Sequence, residues 1–182
     1  MWSTTEAGDA AGEGLHRTVY GADVIAARVA ELGRAITAAY PDGALLVLGL
    51  LKGSFIFLAD LVRHIDRPLH VDFLLVASYG AGTVSSGNVR LVHDSEAELA
   101  GRHVLLVEDI IDSGNTLNRL VPLLAERGPR SLELCTLLHK RIAPDLVLDA
   151  RWVGFDAPPE FLVGYGLDHS EDYRHLPFIG AL

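Results

Sequence analysis

Three carboxylates and a loop of small polar residues lie together near the middle of the chain. They belong to the stretch VLLVEDIIDSGNTL, residues 104–117: Glu108, Asp109, Asp112, and then Ser113, Gly114, Asn115 and Thr116. Such a loop, where it opens a helix, offers backbone N–H groups to a phosphate. Carboxylates repel phosphate, so their presence predicts a ligand that also has sugar hydroxyls, a divalent cation or a proton to lose. Surface charge with a helix N-cap is the alternative, but it does not explain three carboxylates directly after an apolar run.

Two lysines stand at the ends of other apolar runs. Lys52 precedes Gly53, and the pair offers a cation and backbone N–H groups to a diphosphate, although an exposed loop lysine is the commoner case. Lys140 ends a long apolar run and can donate a hydrogen bond to a carbonyl oxygen on a bound ring. Both positions are therefore candidates for ligand binding.

Three residues near the C-terminus are weaker candidates. Phe161 follows two prolines and a glutamate at a predicted strand start, where a core position and a stacking position are both open. Asp168 is a candidate cation-binding carboxylate. Arg174 lies among charged residues and could simply be ion-paired on the surface.

The apolar pattern predicts strands that alternate with helices. Predicted helices cover 22–39, 55–65 and a segment from 117 onward, and predicted strands cover 44–51, 69–79, 89–92, 104–107, 131–139, 152–155 and 161–165. The last fifteen or so residues are predicted as loop. This order indicates an α/β fold with a mostly parallel twisted sheet flanked by helices. Ligands bind outside the carboxyl ends of such strands, where Lys52, the carboxylates and Lys140 are expected to meet.

Composition narrows the class of protein. The chain has 182 residues, 49% of them hydrophobic, which predicts one folded domain. A net charge of −9 argues against binding to nucleic acid or to an anionic membrane surface. One cysteine, Cys135, cannot form an internal disulfide, so we expect a cytoplasmic protein, and no apolar run is long enough to span a membrane. Residues 1–18 are predicted as a disordered tail without signal-peptide features.

Several common motifs are absent from the sequence. There is no Walker A loop and no G-x-G-x-x-G fingerprint, which disfavours ordinary ATP hydrolysis and nicotinamide binding. The eight histidines form no His-x3-His or HExxH zinc pattern, and no G-x-S-x-G hydrolase elbow occurs. The residues thus favour a ligand that carries phosphate, sugar and cation together.

The central stretch resembles the phosphoribosyl diphosphate (PRPP) signature of type I phosphoribosyltransferases. LLKGSFIFLADL resembles the pyrophosphate loop of that family, and the segments around SYG and SSG resemble its mobile catalytic loop. LLHKR and the C-terminal segment of about 150–182 resemble the purine-binding hood of the hypoxanthine(-guanine) phosphoribosyltransferases. The match implies a single domain over 19–182, a small hood subdomain, and a homodimer or homotetramer.

The resemblance implies transfer of a phosphoribosyl group from PRPP to N9 of hypoxanthine or guanine, with Mg²⁺ as cofactor. It implies that Glu108 and Asp109 hold the ribose hydroxyls, directly or through the metal. Asp112 is implied as general base near N7 of the purine. The implied 5′-phosphate cradle consists of Asp112, Ser113, Gly114, Asn115 and Thr116.

Further roles follow from the same resemblance. Lys52, Gly53 and Arg174 are implied to bind the diphosphate, and the peptide bond between Leu51 and Lys52 is implied to be cis. Lys140 is implied to donate to the purine O6, Phe161 to stack on the base and Leu162 to contact it through its backbone. Asp168 is implied to bind a second Mg²⁺, and Ser78 and Tyr79 to exclude water. A PRPP- or nucleotide-sensing regulator on the same fold is the alternative from another class. Xanthine as the main substrate also stays open.

Overall fold

The computed structural model describes residues 14–40, 42–78, 89–141 and 146–182. Nine strands and three helices lie within these ranges. The strands are β1 (Arg17–Tyr20), β2 (Leu45–Leu51), β3 (Leu69–Ser78), β4 (Val89–His93), β5 (His103–Ile111), β6 (Ser131–His139), β7 (Ala150–Asp156), β8 (Leu162–Val163) and β9 (Ile179–Ala181). The helices are α1 (Ala22–Ala39), α2 (Phe55–Val62) and α3 (Asn115–Ala125).

The main sheet has six strands in the order β4-β3-β2-β5-β6-β7. All neighbouring pairs are parallel except β3 with β4, which are antiparallel. The predicted α/β fold with a mostly parallel sheet is therefore confirmed. None of the helices in the described ranges is long and apolar enough to span a membrane.

Two hydrophobic layers cover the sheet. One cluster joins the sheet to α1 and α2 through residues such as Ile36 and Phe57, and the other joins it to α3 through residues such as Leu117 and Leu124. The strand β5 lies between them, and its residues from Val104 to Val107 are fully buried. This two-sided burial is why the segment reads as a continuous apolar run rather than an alternating one.

The central strand is longer than the sequence predicts. Pairing with β6 continues past the apolar run, with Glu108 opposite Thr136 and Ile111 opposite His139. Glu108 and Asp109 therefore lie inside the strand and not in a turn after it. Backbone pairing extends the strand here although the side chains are charged, because the ladder depends on N–H and C=O groups that every residue supplies.

A second sheet of three short strands has the order β1-β9-β8, and we use the name hood for this sheet and the segment 161–182. Its strands pair antiparallel, and β1 brings Arg17 and Thr18 opposite the C-terminal residues Ala181 and Gly180. Both ends of this sheet differ from the sequence prediction, which assigned residues up to 18 to a tail and the last fifteen to a loop. Strands of two to four residues are too short to show a period, and here their partners come from opposite ends of the chain.

Candidate active site

Three strand ends meet at one edge of the main sheet. The strands β2, β5 and β6 are adjacent and parallel, so the segments that follow them lie side by side. The backbone N–H of Lys140 donates to the carbonyl oxygen of Ile111 at 2.9 Å, which ties the ends of β6 and β5 together. The structure confirms that Lys52, the carboxylates and Lys140 follow strands that end at the same edge of the sheet.

Asp112 and Lys140 form an ion pair across that edge. The Nζ atom of Lys140 lies 3.4 Å from Oδ2 of Asp112. The lysine side chain is 13% exposed, whereas the carboxylate is 57% exposed. A nearly enclosed cation thus lies beside an exposed carboxylate.

Glu108 and Asp109 are adjacent carboxylates whose charged forms are disfavoured by burial. The Oε2 atom of Glu108 is enclosed and has no hydrogen-bond partner among the described residues. Burial raises the pKa of Glu108 well above its ordinary value, and the neighbouring charge of Asp109 raises it further. Burial also raises the pKa of Asp109. Such groups favour a ligand that supplies hydroxyl donors or a cation.

The loop after β2 packs tightly against the acidic strand. A methyl group added at Gly53 would collide with the Asp109 carboxylate, with its carbon 2.5 Å from Cγ. On the other side of the loop, a methyl group at Gly166, where φ is +103°, would collide with the carbonyl oxygen of Gly53. The peptide bond between Leu51 and Lys52 is cis, as the resemblance implied. Only glycine leaves room for this loop between the two neighbours.

The small-residue loop opens α3. Gly114 is the N-cap residue, has a left-handed conformation with φ of 74°, and receives no side-chain cap. Its carbonyl oxygen accepts the first helical bond from Asn118 at 2.9 Å, while Ser113 and Asn115 on either side are exposed. The first N–H groups of the helix and two polar side chains are therefore available to an anion.

A cleft of about 480 Å³ lies between the loop after β2, the acidic strand and the hood. It brings together the pyrophosphate-type loop, the acidic strand and two hood residues. The lining residues are Leu51, Lys52, Gly53, Leu75, Val76, Asp109, Asp168 and Arg174. Asp168 and Arg174, which were weak candidates from sequence alone, thus share one cleft with Lys52 and Asp109.

Arg174 is held by several acceptors in the hood. Its Nη2 atom lies 2.8 Å from Oδ1 of Asp168, and its Nη1 atom donates to the carbonyl oxygen of Gly166 at 2.8 Å. The Nε atom is enclosed and has no hydrogen-bond partner among the described residues. The guanidinium group is therefore oriented by the protein but retains an unused donor.

Glu171 is a residue that the sequence analysis missed. Its two carboxylate oxygens each accept from Nζ of Lys52 at 2.9 Å, and one of them lies 3.3 Å from Nη2 of Arg174. The spacing of three residues to Arg174 was visible in the sequence. The contact with Lys52 was not, because 119 positions separate the two residues.

Phe161 and Leu162, which were predicted to contact the purine, lie in the hood. The ring of Phe161 is exposed and meets the ring of His169 edge to face, with centroids 5.4 Å apart. Leu162 is buried in β8, so its side chain belongs to the core. Ser78 is the last residue of β3, and Tyr79 lies outside the described residues.

Comparisons with known proteins agree with this architecture. A family model for the phosphoribosyl transferase domain matches residues 19–170. The chain is 47% identical over 160 residues to the hypoxanthine phosphoribosyltransferase of Salmonella typhimurium, covering 87% of this chain and 90% of that protein. It is 45% identical over 168 residues to the hypoxanthine-guanine phosphoribosyltransferase of Bacillus subtilis, covering 92% and 93%.

A solved structure gives the same answer at the level of the fold. The hypoxanthine phosphoribosyltransferase of Staphylococcus aureus superposes with a TM-score of 0.88 at 40% identity, covering 93% of this chain and 92% of that chain. The resemblance inferred from the motifs is therefore confirmed. The chain belongs to the phosphoribosyltransferase family, and within that family to the hypoxanthine phosphoribosyltransferases.

Proposed function

We propose that this protein transfers the 5-phosphoribosyl group of PRPP to N9 of a 6-oxopurine. Hypoxanthine gives IMP, guanine gives GMP, and pyrophosphate leaves in both cases, which is a purine salvage reaction. Negative charge grows on the leaving diphosphate while the ribose gains positive character. Catalysis therefore requires groups that stabilise the diphosphate and a base that takes a proton from the purine.

The juxtaposition of Asp112 and Lys140 is the observation that carries this proposal. N7 and O6 are neighbours on the ring of a 6-oxopurine. A carboxylate and an ammonium group 3.4 Å apart can address this edge together, one as base at N7 and the other as donor to O6. Adenine has an amino group at position 6, which is a donor and would face a second donor in Lys140.

The hood supplies the remaining contacts to the base. Phe161 stacks on the purine ring, since its side chain is exposed and its ring makes an edge-to-face contact with that of His169. The backbone of Leu162 contacts the edge of the base. Stacking with an oriented aromatic ring holds N9 toward C1 of the ribose, so the reacting atoms do not have to be brought into line separately.

PRPP binds along the acidic strand and the loop that opens α3. Glu108 and Asp109 accept hydrogen bonds from the ribose hydroxyls, which compensates the Glu108 oxygen that has no partner among the described residues. The 5′-phosphate binds the segment from Asp112 to Thr116, where the unused N–H groups of the helix point. Lys52, the backbone of Gly53 and Arg174 hold the diphosphate.

Magnesium fits this donor set. Within the described ranges, no three His, Cys, Asp or Glu side chains come together as a metal site. Mg²⁺ commonly uses one or two carboxylates together with substrate phosphates. Asp109 and Asp168 line the cleft, and Glu108 precedes Asp109 in β5, so these three residues would hold the ion. When bound, Mg²⁺ supplies positive charge that stabilises the leaving diphosphate.

Four further expectations belong to this proposal. Ser78 and Tyr79 close over the reacting groups and exclude water. Residues 19–182 act as one domain with a hood of about 150–182. The protein acts in the cytoplasm. It assembles as a homodimer or homotetramer, which light scattering coupled to size-exclusion chromatography would measure.

Initial rates with four bases test the proposal. Hypoxanthine, guanine, xanthine and adenine are each supplied with PRPP and Mg²⁺, and a reaction without PRPP is the control. We expect turnover of hypoxanthine or guanine and the slowest rate with adenine. Absence of turnover with all four bases would overturn the enzymatic function and favour the regulatory alternative. The named relatives, which are called transferases, give that alternative no support.

A further inference from the structure

The carboxylate of Glu171 lies between the two cations that the proposed function assigns to the diphosphate. Both of its oxygens accept from Nζ of Lys52 at 2.9 Å, and Nη2 of Arg174 is 3.3 Å from one of them. A carboxylate and a phosphate group present the same kind of anionic oxygen to such donors. The protein thus places its own anion against these donors.

The loop that carries Glu171 is built to hold it there. Three residues that are not glycine adopt left-handed conformations, with φ of 55° at Ser170, 72° at Glu171 and 72° at Tyr173. Such residues are uncommon and persist where the surroundings over-determine them. The backbone N–H of Glu171 donates to Oδ2 of Asp168 at 2.8 Å, and paired backbone bonds join His169 to Asp172. The loop therefore fixes the backbone from which the Glu171 side chain extends.

The ion pair between Lys52 and Glu171 is exposed and weak, so another anion can replace Glu171. The side chains of Lys52 and Glu171 are 58% and 65% exposed, so water screens their attraction. Hydrogen bonds from Lys52 and Arg174 lower the pKa of Glu171, with Lys52 the larger cause, so the carboxylate is charged at neutral pH. Arg174 keeps a second anchor in Asp168 at 2.8 Å when Glu171 moves away.

We propose that Glu171 is an internal competitor for the diphosphate, an inference that rests on the proposed function. Its carboxylate holds Lys52 and Arg174 in place while the cleft is empty. A bound diphosphate needs the same two cations and repels the same carboxylate, so binding displaces Glu171. The residue consequently weakens the binding of PRPP and pyrophosphate and favours release of the pyrophosphate product.

The variant Glu171→Gln removes the charge and keeps the size of the side chain. Asp172→Asn is the matched control, because it removes the same charge from the next exposed position in the same loop. Inorganic pyrophosphate is the probe, and its dissociation constant is measured by isothermal titration calorimetry with the full chain at saturating Mg²⁺. We expect Glu171→Gln to bind pyrophosphate about three- to fivefold more tightly, the factor that corresponds to loss of an exposed ion pair.

The KM for PRPP should fall by a similar factor, whereas the KM for hypoxanthine should not change, because the purine side of the site is untouched. Asp172→Asn should change the dissociation constant by less than about twofold, as loss of a water-screened surface charge does. Thermal unfolding of each variant verifies that the chain is folded, and Glu171→Ala serves as a second variant.

Unchanged or weaker binding of pyrophosphate by both Glu171 variants would overturn the inference, since Glu171 would then position the cations rather than compete for them. An equal gain in Asp172→Asn would overturn it as well, because the effect would be general charge. A wild-type protein that neither binds pyrophosphate nor turns over any base would instead refute the proposed function. The two failures are therefore distinguishable.

Discussion

The packing of Gly53 against Asp109 leads to a test of how tightly the site is built. In Gly53→Ala, the new methyl carbon would lie 2.5 Å from Cγ of Asp109, whereas ordinary contact begins at 3.4 Å. The Asp109 carboxylate or the loop must retreat by at least that difference, because Oδ2 of Asp109 lies closer still to the added carbon. The carbonyl of Gly53 cannot easily move the other way, because Gly166 packs closely against it.

Two effects of known size follow from this displacement. Overpacking of a close contact costs about 1–3 kcal/mol of stability. In a chain of this length, that loss lowers Tm by roughly 2–4 °C for each kcal/mol. A shift of about 1 Å in a group that holds the substrate lowers activity by about 100-fold. We therefore expect both a lower Tm and a kcat/KM for PRPP that is about two orders of magnitude lower.

The assay compares Tm by differential scanning fluorimetry with kcat/KM from initial rates. Gly21→Ala is the matched control, because Gly21 has φ of −74° and nothing within 4 Å of an added methyl group. That variant should keep the wild-type activity. The double variant Gly53→Ala with Asp109→Ala should be no less stable than Asp109→Ala alone, since the collision partner is gone. A Gly53→Ala protein with wild-type kcat/KM would refute the reasoning.

Three other predictions concern the acidic strand and the hood. Asp112→Asn should bind PRPP within about threefold of wild type but lower kcat by about 10²–10⁴, the usual contribution of a general base; a wild-type rate with hypoxanthine would contradict that role. Glu108→Gln should raise Tm at pH 7 without Mg²⁺, because burial raises the pKa of Glu108 above its ordinary 4.5 and the wild-type protein then loses stability as pH rises through that raised pKa. A wild-type Tm that stays level as pH rises from 4.5 to 8, or a variant whose Tm declines equally, would argue against this prediction. His169→Ala should raise the KM for hypoxanthine about two- to tenfold, the value of an aromatic pair, and His169→Phe should restore it; equal loss in both variants would show that the edge-to-face contact with Phe161 is not the cause.

Most of the main sheet could be predicted from the sequence because its signals are local. The helix over 22–39 and the strand over 131–139 have the predicted bounds, since each carries a complete hydrophobic pattern. The second helix ends at Val62, three residues before its predicted end at residue 65. Of the hood sheet, β8 lies within the strand predicted over 161–165, whereas β1 and β9 were not predicted, because such short strands have no measurable period and pair with distant segments.

Part of the site could likewise be predicted from local sequence, and part could not. Residue types and spacing predicted that the loop opening α3, the carboxylates and both lysines lie at one edge, because an α/β sheet brings the ends of its parallel strands together there. The contact of Lys52 with Glu171 joins the first strand unit to the hood, and no local pattern encodes such a pair.

The sequence by itself determined which chemistry the strand ends can offer: carboxylates, a phosphate-type helix start and cations at the ends of buried strands. Only the tertiary structure decided the burial, the close contacts and the charge partners of those groups. It enclosed an oxygen of Glu108 without a partner, pressed Gly53 against Asp109, and placed Glu171 on the cations proposed for the diphosphate. Burial, close contact and charge pairing depend on distances between segments far apart in the chain, and these distances exist only after folding.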